Sequence, residues 1–202
     1  MARERLWNAN THYHSILLKA IPKGAESVLD VGCGDGILSA QLLQAGVRHV
    51  IALDADGGVI ERARARHPSL PIEWICGDIL DFPRASHSFD AVLSVATLHH
   101  MDAAVGLTRF AELVRPSGLV GVIGLAANDW WDIPYASVGH CARICVSMTR
   151  GYWEHSAPMV WPPPTTYREI KQIARDVLPG VQYRRHIYGR YSLLWNRPPQ
   201  DL

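Results

Sequence analysis

The segment 28–36, VLDVGCGDG, limits the fold more than any other part of this chain. A short apolar run, SVLDV, enters glycines at 32, 34 and 36, and ILSAQLLQA at 37–45 then shows helical spacing and stops at Gly46. A strand that turns into a helix over so few residues points the helix's first N–H groups outward. Without side chains on the turn, a ligand can approach the backbone closely. Alone, such a turn is only a tight connection. The strand before it, the helix after it and an acidic strand end beyond it make it a candidate site for a nucleotide-like ligand.

The same alternation continues along the first two-thirds of the chain. Strands are expected at Ser27–Val31, His49–Asp54, Ile72–Cys76, Phe89–Val95 and 119–125, with helices at 37–45, 59–67 and 103–114 and a turn at Pro116, Ser117 and Gly118. Strands separated by helices imply βαβ crossovers and a parallel sheet covered on both faces. A leading helix is expected at 11–21, within an N-terminal region spanning 1–22. After Leu125 the pattern changes. Residues 126–165 hold Trp130, Trp131, Trp153, Trp161 and a triple proline, too long a stretch for a plain connection, so a cap insertion is expected there with a helix at 133–148. Its expected apolar contacts are Val138, Ile144, Cys145 and Met148. A helix at Tyr167–Val177 and strands at 181–187 and 191–195, joined through Gly189 as an antiparallel hairpin, complete the chain.

At 202 residues the chain suits one well-packed domain. A formal net charge of +1 supplies no overall attraction to nucleic acid or an anionic membrane, so RNA is a disfavoured partner. No run approaches the ~20 apolar residues of a membrane helix, and the N-terminus has no leader-like stretch. Cys33, Cys76, Cys141 and Cys145 form no CxxC pair and read as packing residues of a reduced, cytoplasmic protein. Ten histidines raise the question of a metal, for instance on His12, His99 and Asp102. No HxxxH or HExxH spacing supports one, and no metal is expected. Arg184, Arg185, His186 and Arg190 cluster near the C-terminus, as a solvated strand edge or, less favoured, a phosphate site.

Charge discriminates between ligands for the glycine loop. The dinucleotide fingerprint is GxGxxG, whereas this loop is GxGxG with Ile37 at the third glycine's place. Asp30 precedes the loop and Asp35 lies within it, where a carboxylate would oppose pyrophosphate. S-adenosylmethionine carries a sulfonium and an α-ammonium and suits an acidic loop, which leaves an NAD-dependent oxidoreductase disfavoured. Asp54 ends the second strand, where an acid can accept from both ribose hydroxyls. Asp78 follows the third strand, either to pair with adenine beside Ile79 or simply to cap a turn.

VLDVGCGDG, ALDAD, CGDILDFP, FDAVLSVATLHHM and ELVRPSGLVGVIG together resemble the successive motifs of class I S-adenosylmethionine-dependent methyltransferases, over roughly residues 27–125. The resemblance implies an α/β, Rossmann-like, doubly wound seven-stranded sheet with its last strand antiparallel, here with a helical and aromatic cap. It also implies that Asp30, Gly32, Gly34 and Gly36 line the methionine moiety, Asp54 with Ala55 the ribose, Asp78 with Ile79 the adenine, and Val95 the sulfonium side. An N-terminal contact falls to Tyr13 or His14.

Methyl transfer is an in-line displacement that needs alignment and, for a hydroxyl acceptor, a base. His99 and His100 follow the fourth strand near the expected methyl group, as catalytic groups or as residues of the next turn. His12, His14 and His155 are further candidates. The cap aromatics Trp130, Trp131, Tyr152, Trp153 and Trp161 either wall a pocket for a small-molecule acceptor or bury the cap against the sheet or a homodimer partner. O- or N-methylation of a small molecule is the leading expectation. RNA methylation and a non-catalytic cofactor-binding protein are the alternatives.

Overall fold

The computed structural model describes residues 7–132 and 162–199, and between them positions 137, 139, 142, 144, 146, 148 and 149. Its centre is a seven-stranded sheet in the order β3-β2-β1-β4-β5-β7-β6. The strands are β1 Ser27–Val31, β2 His49–Asp54, β3 Ile72–Cys76, β4 Phe89–Val95, β5 Val114–Gly124, β6 Gln182–His186 and β7 Arg190–Asn196. β1 to β5 run parallel, and β7 is antiparallel to both β5 and β6, as the terminal hairpin implied. The helices are α1 Ala9–His12, α2 His14–Ala20, α3 Ile37–Gln44, α4 Gly57–Arg66, α5 Ala103–Leu113 and α6 Tyr167–Val177.

The central strands are mostly apolar because both their faces are covered. On one face, Leu107, Phe110 and Leu113 of α5 and Ile170 and Ala174 of α6 pack on Val92, Val120, Val122 and Leu193. On the other, Leu17 of α2 and Leu38 and Leu42 of α3 pack on Val50, Leu93, Leu119 and Ile123. Each such leucine, isoleucine, valine or phenylalanine contributes about 1.5–3 kcal/mol by leaving water. The crossovers carry every parallel strand's C-terminal end to one rim of the sheet, where the connecting loops collect.

Two local expectations change. The leading helix is broken in two at Tyr13 (φ −95°, ψ 0°). Asn8 starts α1 by accepting from the backbone of Asn10 and Thr11, while the Thr11 hydroxyl accepts from Asn8 N. Tyr13 then turns away to stack on His186, its hydroxyl accepting from Tyr188 N at 3.3 Å. The second change concerns Pro116, Ser117 and Gly118, which lie within β5 as a bulge. Phe89 pairs with Val114 but Ala91 with Leu119, and Ser117 adopts φ 61°. Backbone pairing of Ser117 and Gly118 with Arg197 keeps this excursion on the sheet.

In the expected cap, the described positions from 137 to 149 are helical. Met148, expected as an apolar contact, is exposed, as is Ile144 to a lesser degree. Val138 and Cys145 lie outside the described residues. Entry to this segment is tied to the hairpin by the Asp132–Arg185 ion pair, with the Arg185 guanidinium 3.9 Å above the Tyr167 ring. Thr166 and Glu169 cap the start of α6 reciprocally. Replacing Thr166 by Ala is expected to cost about 1 kcal/mol, measured by chemical denaturation.

Candidate active site

The rim loops enclose a cavity of about 390 Å³, in the range of small-molecule sites. Its floor is the glycine loop, and Asp54 holds that loop in place. Gly34 N donates to Asp54 Oδ2 at 3.0 Å, Asp56 N donates to Asp54 Oδ1 at 3.1 Å, and Gly32 N and Cys33 N both donate to Leu53 O. The end of β2 therefore fixes the turn that leaves β1.

The three loop glycines have different reasons to be glycine. All have positive φ. At Gly32 a Cβ would lie 1.9 Å from the Thr97 hydroxyl, and at Gly36 it would lie 2.4 Å from the Trp74 ring, so protein atoms crowd both. A Cβ at Gly34 meets nothing within 4 Å and would project into open space. Gly34→Val is therefore expected to retain the fold, at a backbone cost of roughly 1–2 kcal/mol, and to abolish binding of S-adenosylhomocysteine in calorimetry.

Asp30, Gly32, Gly34, Asp54, Ala55, Asp78, Ile79, Val95, His99 and His100 all line the cavity, drawn together from the ends of β1, β2, β3 and β4. Gly36, His12 and Tyr13 do not appear in its lining. Gly36 caps α3 against Trp74. His12 is exposed beside Tyr188 and Trp7, and Tyr13 is buried against His186. Their neighbours Asn10, Thr11 and His14 face the cavity instead, because the break at Tyr13 rotates the leading segment. Trp130 is 69% exposed and lies outside the lining. The side chains of Trp131, Tyr152, Trp153, His155 and Trp161 lie outside the described residues.

The cavity is acidic on one side. Asp30, Asp35, Asp54, Asp56 and Asp78 line it, against a single arginine, Arg190. Asp78 also accepts from Leu80 N, so it caps the following turn while facing the cavity. Asp30 is fully buried and accepts from the Ser39 hydroxyl at 2.6 Å. Burial, partly offset by that hydrogen bond and reinforced by the Asp54 charge, pushes its carboxyl up to about 7. A cation beside it would restore the ionised form, and S-adenosylmethionine brings two. Folding raises the Asp30 pKa, so its contribution to apo-protein stability falls as pH rises from about 4 towards 7 and levels off above. Cofactor binding is expected to release a proton near pH 6 and to tighten as pH rises through 7. Calorimetry in buffers of different ionisation enthalpy checks this.

His99 is 7% exposed, and neither of its ring nitrogens has a hydrogen-bond partner among the described residues. Burial, the adjacent His100 ring at 4.1 Å and the Arg190 charge lower its pKa to about 4. His14 is also held near 4 by burial, against an opposing contact of its Nδ1 with Gln41 Oε1 at 2.9 Å. Both imidazoles are neutral at physiological pH.

Sequence reasoning missed Asn8, Asn10, Thr11, Thr97 and Arg190 as lining residues. Arg190 had a weak signal, its place in the basic cluster, which the structure divides. Arg184 is exposed, Arg185 pairs with Asp132, His186 is buried against Ser192, and Arg190 alone of the four faces the cavity. Ala96, at φ 54°, turns the chain so that Thr97 packs under the glycine loop, a strain not legible in the sequence.

A methyltransferase-domain family model matches residues 28–118. With this sheet order and an acidic glycine-loop cavity suited to a sulfonium cofactor, the chain belongs to the class I S-adenosylmethionine-dependent methyltransferases. It is similar to an uncharacterized methyltransferase of Mycobacterium tuberculosis, 40% identical over 198 residues that cover 95% of this chain and 98% of the relative. Among solved structures it resembles an S-adenosylmethionine-dependent methyltransferase from Aquifex aeolicus, with a TM-score of 0.62 at 16% identity over 90% of this chain and 88% of that one. It also resembles a geranyl diphosphate methyltransferase in complex with S-adenosylmethionine, with a TM-score of 0.65 at 13% identity over 93% and 85%. The enzyme thus uses S-adenosylmethionine as its methyl donor. No described helix is long and apolar enough to cross a membrane.

Proposed function

We propose that this enzyme methylates a small-molecule acceptor at oxygen or nitrogen, with His99 as the residue that meets the reacting atom. The observation that carries the reading is the buried His99 ring, both of whose nitrogens lack a hydrogen-bond partner among the described residues while the residue lines the cavity. A buried polar group left unpaired costs about 1–3 kcal/mol, which a ligand hydrogen bond would recover.

S-adenosylmethionine, when bound, supplies an electrophilic methyl group on a cationic sulfur. Asp54 and Ala55 fit its ribose, Asp78 and Ile79 its adenine, and Asp30 with the Gly32–Gly34 backbone its charged amino-acid end. Asn10, Thr11 and His14 line the cavity from α1 and α2. The neutral His99 imidazole holds the acceptor's hydroxyl or amine by accepting a hydrogen bond and so aligns the lone pair with the methyl carbon. An amine acceptor becomes an ammonium that needs no base within the step, whereas a hydroxyl oxygen becomes strongly acidic as the new bond forms. A base with a pKa of about 4 is then sufficient to take its proton late in the step. The modest cavity and the net charge of +1 favour a small acceptor over a nucleic acid.

The test uses methyl-labelled S-adenosylmethionine and a cell extract. Label is expected in the low-mass ultrafiltrate, and label retained in RNA would overturn the reading. His99→Ala is expected to lower kcat on that fraction by about 10²–10⁴-fold, with affinity for S-adenosylhomocysteine nearly unchanged.

A further inference from the structure

The rim of the sheet carries an ordered separation of charge. Asp30, Asp54 and Asp78 sit at or just beyond the ends of β1, β2 and β3, and His99 and His100 follow β4. Arg190 opens β7, on the far side of β5, because β7 runs antiparallel and brings its first residues beside the last residues of β5 (Gly124 pairs with Tyr191). In the sheet order, β7 stands three strands from β1, about 14 Å along the rim at the usual strand spacing. The acidic side suits the cationic cofactor. The opposite side of the same cavity presents a guanidinium.

We propose that the methyl acceptor carries a carboxylate seated on Arg190, with its reacting atom at His99; this rests on the reading of the cavity as the acceptor site. Arg190 is fixed for such a role. Its Nε donates to Asn10 Oδ1 at 2.8 Å and its Nη1 to Gly189 O at 3.0 Å, which anchors the planar fork from α1 and from the hairpin turn. A guanidinium in a cavity matches a carboxylate in shape and charge. A phosphate dianion fits less well, because one arginine cannot offset two charges in a cavity lined by five aspartates. The His99 ring, nine-tenths buried and with no hydrogen-bond partner among the described residues, independently marks this side as the place where a ligand completes the site. A carboxylate on Arg190 would also offset one of the charges that hold His99 deprotonated, making it a better proton acceptor once the acceptor is present.

The same chemistry could come from the cofactor's own carboxylate, and the experiment separates the two sources. Benzoate is titrated into protein saturated with S-adenosylhomocysteine while the histidine ring resonances are followed by NMR. Expected are a saturable shift of the His99 signals and a rise in its titration midpoint. In Arg190→Gln, benzoate affinity should fall at least about tenfold, with S-adenosylhomocysteine affinity within about twofold of the parent. If that variant does not fold, Asn10→Ala, which removes the acceptor that orients the guanidinium, should weaken benzoate in the same direction. His99 signals unmoved by benzoate, or moved equally in the variant, would overturn the proposal. A tenfold or larger loss of S-adenosylhomocysteine affinity would do so too, assigning Arg190 to the cofactor. Failure of the wider reading looks different: His99→Ala would leave methyl transfer intact whatever benzoate does.

Discussion

The two hydrogen bonds that Asp54 accepts, from Gly34 N and from Asp56 N, hold the floor of the site to the end of β2. A turn containing three glycines has no side-chain packing of its own, and its conformational freedom has to be removed from outside. The carboxylate does this on one side, and the paired donation of Gly32 N and Cys33 N to Leu53 O does it from below. On the other side, Thr97 under Gly32 and Trp74 under Gly36 leave the loop no alternative path. Only Gly34 retains open space, and that space is the cavity.

With the loop held, charge decides what the cavity accepts. Among the carboxylates lining it, Asp30 has lost its water and faces the Asp54 charge, so it is costly to ionise until a cation sits beside it. The histidines respond in the opposite sense, with burial holding His14 and His99 neutral and the neighbouring His100 and Arg190 adding to it at His99. One cavity thus combines carboxylates suited to a sulfonium with uncharged imidazoles and a guanidinium.

Much of the architecture was legible in advance because the central strands are buried on both faces and show as short, mostly apolar runs. β1, β2, β3 and β4 fall on their expected residues, as does α6. The errors came where local signals conflict with tertiary contacts. Residues 11–21 have continuous helical spacing, yet the Asn8 cap and the burial of Tyr13 against His186 break that helix into two. Pro116, Ser117 and Gly118 read as a turn, yet pairing with Arg197 keeps them inside β5. His12 and Tyr13 stood beside the lining residues in sequence and were displaced from the cavity by that same break.

The sequence by itself determined the strand–loop–helix unit at 28–44, the sheet's alternation and the acidic character of the cofactor side. These depend on residues near one another along the chain, whose periodicity and charge act locally. Only the tertiary structure decided which loop glycine has room for a side chain, which histidine is buried without a hydrogen-bond partner among the described residues and which arginine of the C-terminal cluster faces inward. Each of those outcomes depends on contacts between segments far apart in sequence, such as Arg190 with Asn10 and Thr97 with Gly32. Such pairings carry no local signature. Arg190 meets Asn10 only once the antiparallel β7 has brought the end of the chain back beside β5, and Thr97 meets Gly32 only once β4 lies beside β1.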